Sequence, residues 1–73
     1  MPTEEYVVEL LREIHSKGNR RPHYKDIIRY YLWKKRKGLT EKNLSPETLT
    51  RTLRKLAEKG IIYSNRQGNF WLG

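Results

Sequence analysis

Arg51, Arg54 and Lys55 stand three and four residues apart in the segment Ser45-Pro46-Glu47-Thr48-Leu49-Thr50-Arg51-Thr52-Leu53-Arg54-Lys55-Leu56-Ala57-Glu58-Lys59-Gly60. They carry the most specific chemistry in this chain. A guanidinium presents parallel N–H donors that match paired acceptors, such as two phosphate oxygens or O6 and N7 of guanine; an ammonium acts as a point charge. Arg66, beside Gln67, repeats that chemistry at a second place, and Arg20-Arg21 and Lys34-Lys35-Arg36-Lys37 form two further basic clusters. Acid–base or metal chemistry has no comparable basis. His15 and His23 lie on different elements without a partner at triad or ligand spacing, there is no cysteine, and every glycine falls at an element end rather than in a phosphate loop. No catalytic residue, metal ligand or cofactor is expected.

These side chains need rigid elements to aim them, and the spacing predicts three helices and a hairpin. In the third helix, 46–59, Ser45 is the N-cap, Pro46 occupies the first position, where no amide donor is needed, and Gly60 ends the run. Leu49, Leu53, Leu56 and Ala57 recur on one buried face, so at about 100° per residue Glu47, Arg51, Arg54, Lys55 and Glu58 point outward, with Thr48 and Thr50 flanking them. The hairpin pairs Ile61–Ser64 with Asn69–Leu72 through Asn65-Arg66-Gln67-Gly68, which suits a type I turn closed by a left-handed glycine. In the first helix Thr3 is the expected N-cap, Glu4 and Glu5 suit the positive end of the dipole, and Tyr6, Val7, Leu10, Leu11 and Ile14 form the apolar stripe. The second helix is expected over 23–37, with Tyr24, Ile27, Ile28 and Tyr31 inward. A polar connection follows, Gly38 to Leu44, pinned by Leu39 and Leu44.

Composition agrees with this reading. Seventy-three residues suit one small domain, 1–73, with a single modest core. A net charge of +8 calls for a polyanionic partner. That charge is uneven: residues 1–19 hold four acids and two bases, 20–37 one acid and eight bases, and 38–73 three acids and six bases. The first helix therefore should not face the polyanion. No apolar run approaches a membrane span, the N-terminal segment is too acidic for a signal peptide, and the absence of cysteine fits a reducing cytosol, so a cytoplasmic location is expected.

The order helix, helix, helix, hairpin, together with the run from Ser45 to Ile62, resembles the winged helix-turn-helix family and is similar to compact regulators of archaea, their viruses and plasmids. The resemblance is strongest over residues 45–72. It implies a mostly α fold with a small two-stranded antiparallel wing, and a sequence-specific double-stranded DNA-binding protein that regulates transcription. The third helix would enter the major groove and the wing, 61–72, would lie on the backbone or minor groove. In that setting Arg51 is the leading base reader and Arg54 the second. Thr48 and Thr50 would meet phosphate or a thymine methyl, and Lys55 phosphate. The connection from Gly38 to Leu44 is longer than the family's usual turn.

Each assignment has a plainer competitor. Arg51 could pair with Glu47 on a solvated face. Arg66 and Gln67 could be a solubilising tip, Lys34–Lys37 favourable charge at a helix C-terminus, and Arg20-Arg21 a loop rather than a backbone clamp. Tyr30 and Trp33 share an arc apart from the core stripe: they either pack against Leu39, Leu44 or the hairpin, or anchor a protein interface such as a homodimer, with base stacking a third choice. RNA or ribosome binding, and a protein-interaction adaptor, are the alternative functions of such a domain.

Overall fold

The computed structural model describes residues 2–73. They form α1 (Thr3–Ser16), α2 (Tyr24–Arg36), α3 (Pro46–Glu58) and an antiparallel hairpin of β1 (Tyr63–Ser64) and β2 (Phe70–Trp71). This is the winged-helix layout. The three helices enclose one core of Val7, Leu10, Leu11, Ile14, Ile27, Tyr31, Leu49, Leu53 and Leu56, which Ile62 and Phe70 of the hairpin region complete. Tyr24, Ile28 and Ala57, expected inside, are half-buried at its margin. Among the described residues no helix is long and apolar enough to cross a membrane.

Local chemistry sets the helix ends. Ser45 Oγ accepts from the Thr48 amide at 3.1 Å and Pro46 opens α3. At the start of α2 the His23 amide donates to Asp26 Oδ2 at 3.1 Å while His23 Nδ1 accepts from the Lys25 amide at 3.2 Å. His23 is thus a cap rather than a helical residue. Thr3 does not cap α1: it lies inside the helix, and Pro2 holds the cap position without a side-chain bond. A proline there carries the extended backbone a cap requires, which moves the helix start one residue earlier. At the far end of α3, Gly60 at φ +75° lets its own amide reach Ala57 O and the Ile61 amide reach Leu56 O, both at 3.0 Å. Gly18 and Gly38 close α1 and α2 by the same double bond.

That closure also explains why the strands are shorter than the sequence pattern suggests. The Ile61 amide is spent on α3, and Ile62 turns into the core, so pairing begins only at Tyr63 opposite Trp71 and Ser64 opposite Phe70. A third extended segment joins the hairpin. His23 bridges Asn69, the Tyr24 amide donates to Gly68 O at 2.8 Å, the Phe70 amide to Pro22 O at 3.0 Å, and Asn69 Nδ2 to Arg21 O at 2.9 Å. The linker before α2 is therefore the hairpin's third strand in all but length.

The connection from α2 to α3 is held by tyrosines rather than by both leucines. The buried Tyr31 hydroxyl donates to Lys42 O at 2.5 Å and accepts from the Leu44 amide at 2.8 Å. Tyr6 Oη lies 2.7 Å from Thr40 Oγ1. Leu44 packs on the core, but Leu39 is 58% exposed and pins nothing. Its amide closes the end of α2 on Lys34 O, which turns the side chain outward.

Candidate nucleic-acid interface

On α3, burying Leu49, Thr52, Leu53 and Leu56 leaves Glu47, Arg51, Arg54, Lys55 and Glu58 exposed, as the helical phase requires. Glu47 and Arg51 do not pair. The ion pairs among the described residues are Arg12–Glu9, Arg29–Asp26, Lys34–Glu13 and Lys59–Glu4, so no carboxylate holds Arg51, Arg54, Lys55 or Arg66. Unpaired guanidinium groups on a helix face keep their donors available to an incoming anion. The threonines are less free. Thr50 Oγ1 donates to Pro46 O at 2.9 Å, and Thr48 Oγ1 lies 2.9 Å from Ser45 Oγ in the cap. The Thr50 hydroxyl has its proton committed to the backbone and keeps only acceptor capacity, whereas Thr48 shares one hydroxyl–hydroxyl contact in which either oxygen can donate.

Two shallow grooves meet on this face. One runs between α3 and the wing, bordered by Thr50, Arg54, Glu58, Asn65, Arg66 and Tyr24. The other lies between α3 and the start of α2, bordered by Glu47, Thr50, Arg51, Arg54, Tyr24 and Ile28. Tyr24, Thr50 and Arg54 belong to both, which makes one continuous surface with Arg54 at its centre and Arg51 and Arg66 towards opposite ends. The half-buried Tyr24 and Ile28 are floor residues that the apolar pattern assigned to the core. Periodicity identifies a buried stripe but not its margin.

The wing tip is rigidly made. Asn65 Oδ1 accepts from the Gln67 amide at 2.9 Å and the Asn69 amide at 3.0 Å, which folds the turn around one side chain. Gly68 sits at φ +90°, and a Cβ there would come within 2.8 Å of His23 Nε2 and 2.9 Å of the Tyr24 ring. Only glycine allows this approach. The Tyr24 to Gly68 hydrogen bond then ties the tip to α2, and Arg66 and Gln67 stay exposed on it.

The other basic clusters are placed elsewhere. Lys34 is only 12% exposed, and its Nζ meets both Glu13 oxygens at 2.9 and 3.0 Å. Lys35 bonds Asn43, while Arg36 and Lys37 are exposed. All four lie ten or more residues along α2 from Tyr24, about 15 Å or more down its axis, and border neither groove. Arg21 lies over the Trp71 ring, 4.6 Å from its centroid, and Arg20 is exposed beside it.

Tyr30 and Trp33 stack at 5.7 Å, with Tyr30 Oη donating to Glu13 Oε1 at 2.8 Å. Tyr30 is half-buried against the core, whereas Trp33 is 39% exposed. The hydrogen-bond partner of Tyr30 is Glu13 on α1, and the ring that Trp33 stacks on is Tyr30 itself. Burial raises the Glu13 carboxyl, but the hydrogen bonds from Lys34 and Tyr30 and the charges of Lys34 and Lys17 outweigh it and hold the group below its ordinary value. Burial and the Glu13 carboxylate push the Tyr30 hydroxyl up to about 12. This α1–α2 cluster is invisible to a pattern read within single helices.

Among the described residues no three His, Asp or Glu side chains converge as a metal site. Comparison with models of protein families, with curated proteins and with solved structures returned no match for this chain.

Proposed function

We propose that the protein binds double-stranded DNA sequence-specifically and regulates transcription, with α3 in the major groove and the wing tip on the backbone or in the minor groove. The observation that carries this reading is the shared surface on which the unpaired Arg51, Arg54 and Arg66 line up around Thr50 and Tyr24. A helix with its side chains is about 10–12 Å across and the major groove about 12 Å wide, so α3 fits with its arginines towards the base edges. Arg51 and Arg54 supply forked donors to guanine, Lys55 neutralises a phosphate, and Arg66 reaches the adjacent backbone. Glu47 and Glu58 flank the arginines and disfavour a uniform anion sheath, which supports reading of sequence over nonspecific coating.

Selection from a pool of random duplexes, run beside a pool of structured RNA, tests this. Enrichment of a recurring duplex motif is expected, with affinity that falls steeply with salt. Enrichment confined to RNA, or no enrichment from either pool, would overturn the proposal.

A further inference from the structure

The strand register places Arg21, Trp71 and Tyr63 in one row across the sheet. Tyr63 is opposite Trp71, and the antiparallel bridge from His23 to Asn69 carries Arg21 to the position opposite Trp71 on its other side. Side chains alternate along a strand. Phe70 is buried and, with Ser64, faces the α3 groove, so Trp71 and Tyr63 point to the opposite face. The contacts agree with this parity: Arg21 lies 4.6 Å from the Trp71 centroid, and Tyr63 and Trp71 are parallel within 18° at 6.1 Å. Gly73 lies close enough that a Cβ there would run into one edge of the ring, yet Tyr63 remains 60% exposed, the most exposed of the large apolar side chains.

We infer that this outer face of the wing is a second nucleic-acid site, where an unpaired nucleobase stacks beside Trp71 on Tyr63 while Arg21 meets a flanking phosphate. Three observations favour this occupant over an apolar partner. The Arg21 Cζ lies over the Trp71 indole, and among the described residues its guanidinium has neither an ion pair nor a side-chain hydrogen bond, so its N–H donors are uncommitted. An apolar partner would strip water from that charge without replacing it. The row joins the exposed Tyr63 ring and the half-buried Trp71 to the cation of Arg21 in a chain of charge +8, and a single strand offers the complement of both in every nucleotide. Finally, the row points away from the groove of Arg51 and Arg54, so a duplex seated on α3 does not cover it. The inference does not rest on the duplex reading.

Fluorescence titration of the full chain in a Trp33→Phe background, where Trp71 is the remaining indole, tests it. The probes are oligothymidylate and oligouridylate of about twelve nucleotides and an abasic strand of equal length and charge. Both base-bearing strands should quench Trp71 and bind at least about fivefold tighter than the abasic strand, the smallest factor expected from one stacked base. Preference between the two strands then identifies DNA or RNA as the source of the base. Tyr63→Ala should remove that advantage without changing abasic binding, and Tyr63→Phe should keep it. Tyr63→Leu, which retains bulk but has no π face, should behave as Tyr63→Ala and provides the test if the alanine variant folds poorly. Arg54→Ala should leave single-strand binding unchanged, which separates this site from the α3 groove. Equal affinity for the abasic and base-bearing strands, or full affinity in both Tyr63→Ala and Tyr63→Leu, would overturn the inference.

Discussion

Replacing Tyr31 by phenylalanine removes one oxygen and leaves the ring in place, edge-on to Tyr6 at 6.3 Å. That oxygen holds the connection that delivers Ser45 to the start of α3. It donates to Lys42 O at 2.5 Å and accepts from the Leu44 amide at 2.8 Å, and Tyr31 itself is 0% exposed. Each lost hydrogen bond costs about 0.5–1.5 kcal/mol, and a polar group left unmet in the interior costs about 1–3 kcal/mol. The half-buried connection lets water reach the Lys42 carbonyl more readily than the Leu44 amide, so the two losses together come to roughly 2–3 kcal/mol. In a chain of this size that lowers the midpoint of thermal unfolding by roughly 10–20 °C. Urea unfolding followed by circular dichroism gives the energy, and hydrogen exchange at the Leu44 amide gives its location. A loss under about 0.5 kcal/mol with Leu44 still protected would show that the tyrosine hydroxyl does not hold the connection.

Arg51→Ala should cost about 1–3 kcal/mol on a selected duplex and little on random sequence, whereas Arg66→Ala should weaken both alike and reduce the salt slope by about one; equal weakening of both ligands by Arg51→Ala would make that arginine a phosphate contact. With five or so phosphates neutralised, log K against log salt should fall with a slope of roughly −5, and salt-independent binding would refute the electrostatic footprint. The Glu13 carboxyl is held low in the folded chain, so its stabilisation is present above its ordinary value of 4.5 and lost as pH falls through the folded value; Glu13→Gln should flatten that acid limb in urea midpoints. Tyr30, raised from 10.0 to about 12, acts in the opposite sense: its stabilisation is present below pH 10 and lost as pH rises towards 12, and Tyr30→Phe should abolish that alkaline limb. Because Tyr30 already finds its partner on α1, Trp33→Ala should cost only about 0.5–1.5 kcal/mol and leave the sedimenting mass unchanged, and a mass that halves would instead identify Trp33 as the anchor of a dimer.

Much of this chain is legible because its signals are local. Ser45-Pro46 at one end of α3 and Gly60 at the other act within a turn of the backbone they control, and the leucine spacing between them is enough to put Arg51, Arg54 and Lys55 outside. The Asn65 to Gly68 turn is equally self-contained, since its acceptor, donors and left-handed glycine all lie within five residues. Tertiary structure alone decided the rest. Lys34 and Lys35 look alike in sequence, yet only Lys34 meets Glu13, because the packing of α2 on α1 selects which side of a basic run is covered. Arg20 and Arg21 are likewise equivalent until the linker pairs with Asn69 and Phe70 and sets one of them over Trp71. Periodicity specifies which face of an element is inside; it contains no information on which distant residue arrives there, and that choice is made only when helices and strands far apart in the chain are brought into register.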